Sequence, residues 1–350
     1  MNALPYPISV SILYYGGTAG DMQDTLEGVK SLSAALKSKG HMVRTAEVNA
    51  KNWQRAVMVP GDVVFNLVED EDYSLYTKVA KKLDRMGKAQ VGIGWQGLRF
   101  VVKKARVKRK MWRVGIPTPG YRVINRRTKI GSIRGLEYPL IVKPSGQHAG
   151  IGISQDSVVI DKDELAQRVK YLFKNFSGEV VAEEYIEGRE IQVTVLGNGN
   201  KLLALTPAEI IFGGEYKDNW NVYTYEAKWE KTSWEYWDAR VACPPVLEDK
   251  LLKKIENVSK KSFKAMACRD VARFDIRLDN KDRVFVVDVN MCPSLNELDE
   301  QDATVISAKT MGLSYEDLIE NVVAIAYKRT YKSLPDRVRE RCFLLASPNI

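Results

Sequence analysis

The sequence predicts a mixed α/β protein that begins on an open α/β layer and ends on antiparallel strands. Three observations carry this. Strand and helix patterns alternate over the first ninety residues, the signature of an open α/β layer. Residues 273–293 read instead as two strands around a tight turn, an antiparallel unit. The chain has 350 residues, enough for two or three domains with real cores.

Taken in order, residues 8–14 (ISVSILY) form an apolar strand ending at Gly16-Gly17. A helix follows over 22–39, with Leu26, Val29, Leu32 and Leu36 at helical spacing and Gly40 as its stop. Residues 42–48 alternate as a strand, and 63–69 (VVFNLVE) form a buried one after the Pro60-Gly61 turn. A helix over 72–86 ends at Gly87. Gly92, Gly94 and Gly97 match GxGxxG, but no acidic residue lies about twenty positions on, as the dinucleotide fingerprint requires. A turn into the next helix fits better. That helix, basic, is expected over 98–114, and the Gly115–Pro119 cluster marks a domain boundary.

Residues 138–144 (YPLIVKP) form a strand ending on Lys143. A glycine-rich loop, 145–150, and a second strand, IGIS (151–154), follow. Such a loop lets backbone N–H groups approach phosphate oxygens, although a plain hairpin has the same pattern. Residues 180–190 (VVAEEYIEGRE) are a strand with an acidic edge, and 191–205 a hairpin. Residues 213–237 are aromatic-rich and irregular; a long loop in a compact domain is usually functional, here as a lid. A helix over 248–266 leads into the 273–293 hairpin, and a last helix covers 315–331. The tail, 332–350, is basic and then apolar.

The hairpin holds the clearest chemistry. Arg273, Asp275 and Arg277 alternate with Phe274, Ile276 and Leu278, so the polar set shares one face. Asp288 and Asn290 lie two apart on the returning strand. Pairing Asp275 with Asp288 makes three oxygen side chains converge. Two adjacent carboxylates need a cation, and oxygen ligands without His or Cys select Mg²⁺ or Mn²⁺, commonly with phosphate as a further ligand. A solvated surface hairpin is the alternative.

Composition narrows the classes. Charged residues are 28% and hydrophobic ones 45%, ordinary for a soluble globular chain. No apolar run reaches eighteen residues, which argues against a membrane span. The start, lacking a basic stretch before its apolar run, reads as a strand rather than a leader. Four scattered cysteines without CxxC suggest a reducing cytoplasm. With two histidines, a His-rich metal site is excluded. Between Arg85 and Leu136 there are fifteen Lys and Arg and no Asp or Glu, which leaves −6 for the rest of a chain whose total is +9. A block this basic implies a polyanionic partner or a solvated basic face.

A lysine after a basic helix, a lysine before a glycine-rich loop, an acidic hinge, YEAK (225–228) and the RFD…DVN hairpin now stand in one order. That order resembles the ATP-grasp superfamily, and within it the D-alanine–D-alanine ligase-like carboxylate–amine ligases, over residues 8–328. The resemblance implies an ATP-grasp fold with an N-terminal α/β domain (1–115), a central subdomain (116–187), a C-terminal subdomain (188–330) and a tail (331–350). It implies a cytoplasmic ligase that forms an amide through an acyl phosphate, using ATP and two metal ions. Lys104 and Lys143 correspond to the phosphate lysines, with His148 and Gly150 in the phosphate loop. Glu183, Glu184 and Ile186 correspond to the adenine hinge, Glu190 to the ribose carboxylate, and Lys228 to the lysine over the γ-phosphate. Asp275, Asp288 and Asn290 correspond to the metal ligands, with Asp288 in place of the usual glutamate. Arg273 corresponds to the arginine on the acyl phosphate, and Ser294 follows the metal-site proline. The family is often dimeric through its first domain.

The departures concern the substrates. Only Asp21 in Thr18-Ala19-Gly20-Asp21 stands in for the acidic residue that binds the first D-alanine. Ala149 and Gly150 replace paired serines, Trp229 replaces a tyrosine, Glu69-Asp70 a histidine-glycine pair, and Ser294 a glycine. These argue for an amino acid or short peptide other than D-Ala-D-Ala, including an acidic or carrier-borne one. Two other readings stay open: a basic binding protein for nucleic acid or an acidic carrier with a secondary ATP site, and a phosphotransferase that stops at a phosphorylated product.

Overall fold

The computed structural model describes residues 8–16 and 20–342. Thr18, Ala19 and the last eight residues of the tail lie outside the described residues. Among the described residues there are three sheets. The first is parallel, in the order β2 (Met42–Glu47), β1 (Ser9–Tyr14), β3 (Val63–Leu67), β4 (Ala89–Gln90). Its helices are α1 (Gly20–Ser38), α2 (Trp53–Ala56) and α3 (Ser74–Arg85). Parallel strands covered on both faces read as near-continuous apolar runs, as Val63–Leu67 does apart from buried Asn66.

The basic stretch departs from the expected single helix. It forms α4 (Trp95–Val101) and α5 (Lys104–Arg113), with Lys103 extended between them. The first N–H groups of α5 go elsewhere: Lys104 donates to the Ser145 carbonyl at 2.8 Å and Ala105 to the Ser145 hydroxyl at 3.2 Å. A helix start needs such outside acceptors, and a residue forty positions away supplies them. Composition carries no trace of that.

The second sheet is antiparallel, β5 (Tyr121–Ile124), β8 (Val180–Glu184), β6 (Leu140–Pro144), β7 (Val158–Val159), with α6 (Lys162–Asn175) on one face. The partner of β6 is therefore Val158–Val159 and not IGIS. Residues 151–154 turn instead, because Gly150 and Gly152 adopt positive φ (+86° and +77°), and Gly152 lies against Pro144 and Phe176.

The third sheet is the largest: β12 (Ala239–Ala242), β11 (Ala208–Phe212), β9 (Arg189–Asn198), β13 (Asp270–Leu278), β14 (Val284–Asn290), with β10 (Lys201–Ala204) beside β9. The 213–237 segment is more regular than its composition suggests. It holds α7 (Tyr225–Trp229) and α8 (Trp234–Asp238), ordered by edge-to-face contacts of Tyr216 with Phe212 and Trp234. Beyond α9 (Asp249–Ala265) and the hairpin come α10 (Ala303–Thr310), α11 (Tyr315–Tyr331) and α12 (Asp336–Arg341).

The first and third sheets share their cores. One core joins Leu13, Val64 and Leu83 to Ile191, Phe274 and Phe263; another packs Ile12 and Leu32 against Val322 of α11. The second sheet has its own smaller core around Leu140, Val142 and Leu172. The tail is partly anchored: Leu334 and Val338 are buried in the core with α11. Among the described residues no helix is long and apolar enough to cross a membrane.

Candidate active site

Asp275 and Asp288 stand directly opposite each other, and Arg273 opposes Asn290. A bulge produces this. The register runs Ile276↔Val286 and then Asp275↔Asp288, so Val287 is the extra residue. Val284, Val286 and Val289 are buried. Strict alternation from Val284 and Val286 would turn Asp288 toward the core. The inserted residue reverses that parity and aims Asp288 alongside Asp275.

Both carboxylates already hold cations. The Arg273 guanidinium donates to Asp275 at 2.8 and 3.3 Å, and the Lys104 ammonium to Asp288 at 3.1 Å. Burial raises the Asp288 carboxyl, but Lys104, Lys143 and His148 together hold it far below the usual carboxylate range. Burial also depresses His148, to about 3, with Lys104 adding to the effect, so the ring is neutral at pH 7. The Lys228 ammonium is lowered by burial and stands 4.9 Å from the Tyr223 ring centroid.

These groups line a cavity of about 250 Å³ between the sheets. Lys104, His148, Gly150, Lys228, Arg273, Asp275, Asp288, Asn290 and Ser294 all face it. The 213–237 segment closes over it. Trp229 donates its indole N–H to the Ala149 carbonyl at 2.8 Å, and a Cβ on Gly150 would lie 3.1 Å from the Tyr225 backbone. Helix α7 is held by Thr224, whose hydroxyl accepts the Ala227 N–H at 3.0 Å and donates to Glu235.

The remaining predicted residues lie behind this wall. Lys143 and Glu183 are fully buried and paired at 3.0 Å; Lys108 takes the other Glu183 oxygen at 2.8 Å. The Glu183 side chain thus serves two lysines rather than projecting from the hinge. Glu184 accepts the Gly120 and Glu137 N–H groups at 3.1 and 3.2 Å. The Ile186 carbonyl and the Glu190 carboxylate both face Arg277.

Five residues escaped the sequence reading. Lys108, one turn beyond Lys104, was hidden among the basic residues of α5. Arg277 belongs to the polar row of β13, but its partners are distant in sequence. Asp24 lines the far end of the cavity, where its oxygens accept from Ser294 at 3.0 Å and Asn296 at 2.7 Å. Asp299 and Asp302 line the same end, and burial raises them to about 6 and about 7. The side chain of Asp21 lies outside the described residues.

The donor set fits a hard cation: two carboxylates and one amide oxygen on adjacent strands, each acid already offset by a positive side chain. Among the described residues no group of three or more His, Cys, Asp or Glu is placed to hold a metal ion by itself, so any such ion takes its other ligands from phosphate or water. The cavity likewise suits a polyphosphate, with two lysines and a glycine loop on its walls.

Relatives give the same picture. Residues 111–324 match the family described as D-ala D-ala ligase C-terminus. The D-alanine–D-alanine ligase of Bordetella petrii is 26% identical over 314 residues, covering 89% of this chain and 90% of that one. That of Acetivibrio thermocellus is 30% identical over 261 residues, 70% of this chain and 63% of that one. The uncharacterized protein y4sG of Sinorhizobium fredii is 31% identical over 271 residues, 77% of this chain and 76% of that one. The structure of the Bacillus anthracis D-alanine–D-alanine ligase complexed with ATP superposes with a TM-score of 0.72 at 19% identity, covering 93% of this chain and 99% of that one. The chain belongs to the D-alanine–D-alanine ligase family and is an ATP-grasp carboxylate–amine ligase.

Proposed function

We propose that this enzyme joins an amino acid or short peptide to an amine in the cytoplasm, with a product other than D-Ala-D-Ala. The opposed carboxylates Asp275 and Asp288, facing Lys104, Lys228 and Arg273 across one cavity, carry the reading. A carboxylate is a poor electrophile at neutral pH. Its oxygen attacks the γ-phosphorus of ATP, ADP leaves, and the acyl phosphate is attacked by the amine with loss of phosphate. Catalysis of this kind is mostly positioning and charge neutralisation. Asp275, Asp288 and Asn290 would hold two Mg²⁺, which supply Lewis-acid neutralisation of the phosphates. Lys143, buried behind Lys104 and Lys228, adds its positive charge, and those two, which line the cavity, bind phosphate oxygens. The backbone at Gly150 approaches them closely, and neutral His148 lies beside Lys104 without adding charge. Arg273 stabilises the acyl phosphate. Glu184 and Ile186 frame the base, Glu183 keeps Lys143 in place, and Glu190 takes the ribose. The 213–237 lid excludes water from the intermediate.

The substrate reading rests on the other end of the cavity. Trp229 fills space between Gly20 and the Ala149 carbonyl. Asp24, Asp299 and Asp302 make that end acidic, which favours an ammonium-bearing acceptor and disfavours a free carboxylate there; Ser294, bonded to Asp24, helps shape it. A polyanionic or carrier-borne portion of a substrate would lie outside, against exposed Arg106, Arg109, Arg113 and Arg122. The test is ATP-dependent phosphate release across pairs of amino acids, peptides and amines. Robust turnover with D-alanine alone would contradict the substrate reading.

A further inference from the structure

Arg277 is the one member of the polar row on β13 without a part in the chemistry above. It is 5% exposed. It lies two residues beyond Asp275 on the same face, a step of roughly 7 Å, toward the hinge and away from Asn290. In register it opposes Glu190 of β9. Its guanidinium reaches three separate pieces of chain. Nε donates to the Ile186 carbonyl at 3.0 Å, and Nη1 to Glu190 at 3.2 Å and to the Asn221 carbonyl at 3.0 Å. Nη2 donates to the Tyr185 hydroxyl at 3.3 Å, and that hydroxyl in turn donates to Asn221 at 3.2 Å. The group also packs over the Tyr185 ring, 5.3 Å from its centroid. Four N–H groups in a rigid fork thus join the metal-bearing strand, the hinge and the lid.

Only one oxygen of Glu190 is engaged by this fork. The other is left for a hydroxyl, and the bond from Nη1 fixes the plane in which it is offered. A buried carboxylate without a counter-charge would be costly, and Arg277 is the cation within hydrogen-bond reach of it. A lysine could not replace it, since one ammonium has three N–H groups and no planar fork to present to four acceptors. The Asn221 carbonyl belongs to the lid segment, so the same side chain that orients the carboxylate also fastens the lid to the hinge.

We propose that Arg277 is a positioning residue for the nucleotide: it sets Glu190 against the ribose hydroxyls and ties the lid to the hinge. The inference rests on the assignment of Glu190 to the ribose. The test is calorimetric binding of ATP and of 2′,3′-dideoxy-ATP, with Mg²⁺ and no second substrate, to wild type, Arg277→Met, Arg277→Lys and Glu190→Gln. A hydrogen bond to a charged group predicts that wild type prefers ATP over the dideoxy compound by roughly tenfold or more. In Arg277→Met the ratio should fall severalfold toward one, and tryptic cleavage at Lys217 or Lys231 should quicken. Arg277→Lys, the more conservative change, decides the matter if the methionine variant does not fold; it too should lose most of the ratio. A ratio kept in both Arg277 variants but lost in Glu190→Gln would overturn the role of Arg277 alone. A ratio kept in Glu190→Gln would overturn the ribose assignment and this inference with it.

Discussion

Replacing Glu183 by glutamine removes one buried charge and leaves two stranded. Glu183 is 1% exposed, with the Lys108 ammonium at 2.8 Å and that of Lys143 at 3.0 Å. At an effective permittivity near 20, each contact represents about 6 kcal/mol of gross attraction. Desolvation of three charges offsets most of it. Breaking a buried pair by deleting one partner still costs about 3–5 kcal/mol, because the other charge stays buried without compensation. Lys108 shows the balance: burial lowers it to about 8 even though Glu183 acts to raise it. Urea unfolding at pH 7.5, followed by circular dichroism, should show the loss in the Glu183→Gln variant. Adding Lys108→Met removes one stranded ammonium and should restore about 1–3 kcal/mol, a coupling of the size found for contacting residues. The acid limb should change as well. The two lysines hold the Glu183 carboxyl below its ordinary value against the pull of burial. Its contribution is therefore present above the ordinary carboxyl value and lost as pH falls, and the glutamine variant should lack it. A single-variant cost under about 1 kcal/mol, or no recovery in the double variant, would refute this reasoning.

Other expectations follow from the same geometry. Asp288→Ala should abolish ATP-dependent phosphate release while leaving the circular dichroism spectrum unchanged; near-normal turnover would mean the metal site is misassigned. Chelation should stop turnover, with Mg²⁺ or Mn²⁺ restoring it. Gly150→Ala forces a Cβ at positive φ to within 3.1 Å of Tyr225, so the lid should seat poorly and kcat should fall; an unaltered kcat would show that the contact is incidental. Asp299 is raised by burial to about 6, above its ordinary value. Its stabilising contribution is complete below pH 4 and lost as pH rises through 6. Asp299→Asn should therefore flatten the stability profile between pH 4 and 7, which thermal unfolding across that range would measure. Trp229→Tyr alone should not create D-alanine ligase activity in a coupled assay, because Ala149, Glu69-Asp70 and Ser294 remain.

What was legible in the sequence was local or periodic. The alternation of Arg273, Asp275 and Arg277 placed the polar face of β13, whereas the opposition of Asp275 and Asp288, expected from the hairpin, is delivered by the extra residue Val287. Helix α11 was readable because Ser314 caps it and Gly312 precedes it. The failures have one cause: partners remote in sequence. The break before Lys104 depends on Ser145. The turn at 151–154 depends on Pro144 and Phe176 crowding Gly152. The regularity of 213–237 comes from Tyr216 packing on Phe212 and Trp234. Within the site, Lys104, Lys228, Arg273, Asp275, Asp288 and Asn290 line one cavity, whereas the Glu183 side chain turns inward to Lys108 and Lys143. The bulge at Val287 was invisible because four β-branched or aromatic residues in a row show no alternation to break.

The central claim is that the carboxylates, lysines and arginine around this cavity make an amide from two substrates at the expense of ATP. The most direct measurement is phosphate release by the purified protein with ATP and Mg²⁺, run over paired amino acids, peptides and amines, with mass spectrometry of each mixture. The account predicts release that requires both partners of a pair, and a product lighter by one water than the two combined. Release with a carboxylate alone that ends in a stable phosphorylated product, or no nucleotide binding at all, would contradict it.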